Sequence, residues 1–140
     1  MDVGYFIWLA VESVAVLAIF PPALFLLAVS LLGVVQTAHY VPLDRRRQAL
    51  ATTLLTLALP LAILLCGVLL KHDGELQGSA RDWPEWLVEG LFVAHLPLAA
   101  LLMAMMRGIR WFVLSISGLC LGYSCGAAFM SIMSVTDTWL

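Results

Sequence analysis

The sequence predicts an all-α integral membrane protein, a four-span helix bundle with a long first helix broken by a Pro-Pro pair. Three observations carry that expectation. First, 63% of its 140 residues are hydrophobic and 11% are charged, whereas a soluble domain carries about 25% charged residues to cover its surface. Second, apolar runs long enough for a ~30 Å hydrocarbon core recur between short polar connections, and the mean hydropathy is +1.02. Third, Gly118, Gly122 and Gly126 recur at every fourth position of the last run. That spacing is just over one helical turn, so the glycines form a nearly straight groove without side chains. Ser115, Ser117, Cys120, Ser124, Ala127, Ala128 and Ser131 keep the surrounding surface small. Lipid supplies little hydrophobic drive between helices, so close approach across such a groove is a main source of association.

The first segment, Val3 to Ala38, is one apolar run interrupted by Pro21-Pro22. A continuous helix of that length would reach ~50 Å, well beyond the hydrocarbon core. Proline removes a backbone donor and clashes one turn back, so a break belongs near Phe20. Two layouts are open, a single kinked crossing over 3–38 or two short spans, and the kinked crossing is preferred because a hairpin turn there would hold no polar residue. The connection Val41 to Arg47 carries Pro42 and Asp44-Arg45-Arg46-Arg47. The second span is expected over 48–70, bent at Pro60. After a polar loop, Asp82-Trp83-Pro84-Glu85 reads as a helix start, with Asp82 as N-cap and Pro84 in the first turn. The third span is then 84–106, containing Pro97, and Arg107-Gly108-Ile109-Arg110 leads into a fourth over 111–135. The whole chain, 1–140, reads as one helical domain with no repeat.

Five of the seven basic residues sit in the connections at 41–47 and 107–110, and the loop between the second and third spans is acidic. The positive-inside rule places both arginine connections in the cytoplasm and both termini outside, in a bacterial-type inner membrane. Met1-Asp2-Val3 lacks the basic start of a signal peptide, so the first apolar segment is expected to be retained. A formal net charge of −2 excludes a nucleic-acid surface, which needs a dense Lys/Arg patch.

Ionisable groups inside hydrocarbon are costly, and each is a candidate site. Glu12 lies mid-way along the first apolar segment and shares a helical face with Tyr5 and Trp8. It is either a proton-exchanging carboxylate or an interfacial residue. Glu89 lies one turn into the third span, where it still reaches water. His95, two residues before Pro97, is either a packed histidine satisfying backbone freed by that proline or a proton relay. These three form the possible proton or ion site. His39, His72 and His95 fall at different depths, which argues against bis-histidine haem. No metal-ligand spacing, nucleophile–base pair or phosphate-cradling loop is present. Cys66, Cys120 and Cys125 read as small packing residues. No catalytic residue, cofactor or metal site is therefore expected.

A carboxylate in the first span of a small four-span chain resembles the small multidrug resistance transporters, which implies proton-coupled transport through Glu12. The resemblance covers only Glu12 and the span count. The first segment here is longer, Pro21-Pro22 interrupts it, and the outer loop is larger, so the chain is not assigned to that family.

The leading expectation is a non-enzymatic inner-membrane protein that contacts lipid and works as a homo-oligomer or as a subunit of a larger membrane complex. The glycine run Gly118, Gly122 and Gly126 serves as its helix-packing face, and a pore-forming membrane effector is the specific version. The alternative is a small proton-coupled transporter using Glu12; a cofactor-dependent redox or lipid enzyme is a weaker third reading. The arginine distribution gives a direct topological test. Cysteines introduced at Gly78 and Leu140 should react with an impermeant thiol reagent from outside, and one at Gln48 only after the inner face is opened. Labelling of Gln48 and Leu140 from one side would defeat the four-span layout.

Overall fold

The computed structural model describes residues 3–70 and 83–136, and every regular element among them is helical. Helix α1 spans Val3–Val16 and passes through a 3-10 turn, Leu17–Ile19, to Phe20, where the helix breaks. Phe20 has φ −114° and ψ 76°, because the ring of a following proline disfavours the α conformation in the residue before it. Pro21 and Pro22 then open α2, Pro21–Ala38, at first-turn positions whose N–H groups would have no intrahelical acceptor. The chain turns through Leu43–Arg45 into α3, Arg46–Leu69, which continues through Pro60.

Helices α4, Trp83–Val93, and α5, His95–Met105, form one apolar stretch interrupted at Ala94. Pro97 cannot donate to the Val93 carbonyl. The ladder is carried across by Ala94 N–H to the Gly90 carbonyl at 2.9 Å and Leu98 N–H to the Ala94 carbonyl at 3.2 Å. Helix α6 spans Arg110–Thr136. Among the described residues, four stretches are long and apolar enough to cross a membrane: Pro21–Ala38, Leu43–Leu69, Trp83–Met105 and Arg110–Thr136. Val3–Ile19 is a shorter apolar helix. The proposed cap at Asp82, His72 and the tail beyond Thr136 lie outside the described residues.

Helix α6 occupies the middle of the bundle and packs against α1 through α5. Half of that span is buried, against 6% of Pro21–Ala38. Small residues on most of its faces make this possible, since several helices can approach its axis without colliding with side chains. The glycine face takes α2 and then α1. A Cβ on Gly118 would meet the Ser30 hydroxyl, and one on Gly122 would lie 3.2 Å from the Ala23 carbonyl oxygen and from Leu27. A Cβ on Gly126 would overlap the Ser13 carbonyl. Farther on, the Tyr5 hydroxyl is 2.7 Å from the Ser134 hydroxyl. Along α6 the partners thus descend from Ser30 to Tyr5, and the broken first helix lies antiparallel to it. The groove expected to serve assembly with other chains is filled, at all three glycines, from within this chain, because the small face of the broken first helix meets it first.

Two apolar clusters hold the ends of the bundle. One joins Leu9, Ile63, Leu64, Val88, Ala127, Ala128 and Met130. The other joins Ala49, Leu102, Ile109 and Val113 beside the arginine connections.

The glycine contacts predict a graded stability series, read as thermal melting in detergent. Gly126→Ala should cost about 3 kcal/mol, because its methyl meets backbone that cannot rotate aside. Gly118→Ala should cost less, since a serine side chain can move. Gly90, with nothing within 4 Å of its would-be Cβ, is the control; Gly90→Ala should be neutral or stabilising by about 0.5–1 kcal/mol. Equal melts for Gly126→Ala and Gly90→Ala would remove the groove from the fold's foundations.

Candidate functional site

Between the two apolar clusters lies a layer of buried polar side chains. Helix α3 contributes Thr52 and Thr56, α5 contributes His95, and α6 contributes Ser117, Cys120 and Ser124. Each set follows a helical stripe: Thr52 and Thr56 are four apart, and Ser117, Cys120 and Ser124 are spaced three and four. The end clusters draw on positions one or two turns to either side of them, such as Ala49 and Ile63 on α3 and Val113 and Ala127 on α6. The layer therefore sits mid-bundle, closed at both ends by apolar side chains.

The hydroxyls of α3 turn back on their own helix. Thr52 donates to the Gln48 carbonyl at 2.9 Å and Thr56 to the Thr52 carbonyl at 3.0 Å. This is the usual way a threonine satisfies itself away from water. His95 reaches across, with its Nε2 3.2 Å from the Ser124 hydroxyl. Its Nδ1 and the Ser117 hydroxyl are buried and have no hydrogen-bond partner among the described residues. An unsatisfied polar atom in such surroundings costs about 1–3 kcal/mol. A histidine bonded through one nitrogen to a hydroxyl, with the other nitrogen unused, can take up and hand on a proton. The apolar clusters leave such a proton no continuous route in this conformation.

Farther along α6, hydroxyls join the helices directly. Ser131 donates to the Ile63 carbonyl at 3.0 Å, and Ser134 to the Gly67 carbonyl at 2.7 Å. The Tyr123 hydroxyl donates to the Ala10 carbonyl at 3.1 Å. Ser131 and Tyr123 add a second bond to carbonyls within α3 and α1, Ser134 caps a carbonyl in the last turn of α3, and each bond ties its helix to α6.

The residues singled out from the sequence do not converge. Gly118, Gly122 and Gly126 face α1 and α2, away from the polar layer. Glu12 is half-buried on α1 beside Ser13, and Glu89 is exposed on α4. Tyr5 and Trp8 stack at 5.5 Å, but the Tyr5 hydroxyl turns to Ser134. His95 is the one of the three ionisable candidates inside the bundle. Its Nε2 serves Ser124, and the backbone carbonyls nearest its ring are those of Leu91 and Phe92, not the Val93 carbonyl that Pro97 leaves without a donor. His39 is exposed at the end of α2, remote from His95 in depth. From the sequence Ser117, Cys120 and Ser124 read only as small packing residues; their three- and four-residue spacing, shared by Thr52 and Thr56, is the signal of a polar stripe.

Among the described residues no three His, Cys, Asp or Glu side chains are grouped to hold a metal ion, and the three cysteines are free. No known protein family matches this chain, and no curated protein or solved structure matches it.

The His95–Ser124 pair yields a stability test. Ser124→Ala leaves both ring nitrogens of a buried histidine without a partner and should cost about 1–3 kcal/mol in detergent melting. Ser131→Ala should cost about 0.6 kcal/mol, typical of an interhelical bond in a membrane protein, because the Ile63 carbonyl keeps its own helical partner. A smaller loss at Ser124 than at Ser131 would show that the pair contributes little.

Proposed function

We propose that this chain is a non-enzymatic, multi-pass protein of a bacterial-type inner membrane that acts as a homo-oligomer or as a small subunit of a membrane complex. Both termini are outside in this reading, and association uses the outer face of α1. The observation that carries it is the position of Glu12. Its neighbour Ser13 packs on Gly126, which lies about 15 Å along α6 from Thr136 at ~1.5 Å per residue. Glu12 is half-exposed at that level and has no hydrogen bond or ion pair among the described residues. A charged side chain facing lipid near the middle of a span costs roughly 2.5–3.5 kcal/mol. A polar group from a second copy or another subunit would remove that penalty, as would protonation.

The glycine face no longer supports association between chains, because α1 and α2 occupy it. A membrane-disrupting pore remains the specific form of the proposal. Helix α6 fills the middle of each bundle, so such a pore would run between copies. A second reading, proton-coupled transport, draws on the unused nitrogen of His95 and on Ser117. It places the proton carrier at the polar layer and requires the apolar clusters to part during the cycle.

Substitution of Glu12 separates these readings. Glu12→Leu should shift the oligomer or complex toward free chains by at least about tenfold in native mass measurements, roughly 1.4 kcal/mol. The monomer's melt should not change, since the carboxylate makes no bond within the chain. Under the transport reading with Glu12 as carrier, Glu12→Gln abolishes proton-linked flux in vesicles and leaves assembly intact. Wild-type assembly and wild-type flux in both variants would return Glu12 to the role of an interfacial residue.

A further inference from the structure

At the arginine-bearing end of the bundle, a cavity of about 340 Å³ opens between the end of α2 and the connection from α5 to α6. That volume falls within the ~300–1,000 Å³ range of small-molecule sites. We propose that this cavity binds the phosphate of an anionic phospholipid headgroup, an inference that rests on the membrane residence proposed above.

The lining supplies the donors. Arg107 and Arg110 border the cavity together with Tyr40. Arg107 makes no hydrogen bond or ion pair among the described residues. Arg110 spends its Nε on the Met103 carbonyl at 3.2 Å, which steadies the guanidinium and leaves its terminal nitrogens available. Arg45 brings a third guanidinium against Gly108, into space that a Cβ would take. The two connections hold five arginines and one acidic residue, Asp44, and no ion pair joins them among the described residues. A guanidinium offers planar paired donors that match phosphate oxygens. The start of α6 at Arg110 adds backbone N–H groups and the positive end of the helix dipole.

The rest of the lining favours lipid over a free anion. Val41, Trp111 and Phe112 give the cavity an apolar wall, useless to inorganic phosphate but suited to the glycerol and first acyl carbons of a phospholipid. Tyr40 and Trp111 are exposed, and such rings settle at headgroup depth. Leu114, the next turn of α6, is also exposed and extends an apolar surface for the chain. Basic pockets between spans on the cytoplasmic side are recognised headgroup sites.

The test uses full-length protein in mild detergent, with lipid adducts measured by native mass spectrometry. Phosphatidylglycerol should bind in preference to phosphatidylcholine. Its affinity should fall about fivefold in Arg107→Gln and about 25-fold in the Arg107→Gln/Arg110→Gln double variant. The single variant keeps the test valid if losing the Arg110–Met103 bond disturbs the fold. The control, Arg46→Gln/Arg47→Gln, removes two charges outside the cavity and should cost less than about twofold. Equal loss in the control, equal binding of the two lipids, or displacement by inorganic phosphate would each overturn the proposal. Membrane residence is checked separately by alkaline extraction. A chain that stays in the membrane but binds phosphatidylglycerol equally in all variants sinks the lipid site alone.

Discussion

Where Ser13 and Ala23 turn their carbonyls toward Gly126 and Gly122, helices approach more closely than almost any side chain would permit. Much else in this fold depends on that contact. It lets a first helix broken by Pro21-Pro22 lie along a single partner, so that the break at Phe20 does not split the domain. It also frees the other faces of α6 for α3, α4 and α5. Van der Waals contact at this range supplies attraction that the hydrophobic effect does not provide between helices in lipid. The same contact explains why a surface that resembles an assembly face is used internally.

Polar packing adds a second constraint. Serines and threonines buried at 0–1% exposure, among them Ser13, Thr52, Thr56, Ser124 and Ser131, each have a backbone carbonyl or His95 as partner. Ser117 and one nitrogen of His95 do not. Their lack of partners stands out because the surrounding hydroxyls are so consistently satisfied. Polar groups buried along the middle helix, from Ser117 to Ser134, invert the usual arrangement of a soluble bundle. The arrangement suits a chain whose outer surface, with Phe25, Leu32 and Val35 exposed on α2, is more apolar than its middle.

Charge is sorted by position rather than by pairing. The arginines gather at one end, Glu89 lies on the outside of α4, and Glu12 sits part-way along α1 with apolar residues on either side. Each location keeps an unpaired charge at the surface of the bundle rather than within it.

The sequence alone determined the helical class, the number of long apolar stretches and the position of the break near Phe20. Those depend on composition, hydropathy and the local chemistry of proline, all of which act within a few residues. Phe20 leaves the α region because of the residue beside it, and the interruption at Ala94 follows from Pro97. The glycine spacing likewise identified which helix would be approached most closely. Only the tertiary structure decided what approaches it. A groove without side chains accepts any helix with a small face, and several segments of this chain offer one; selection among them depends on contacts between residues more than a hundred positions apart, such as Tyr5 with Ser134. The polar layer had to wait for the same reason. Thr56, His95 and Ser124 occupy three different helices, and no local pattern states that those stripes share one depth.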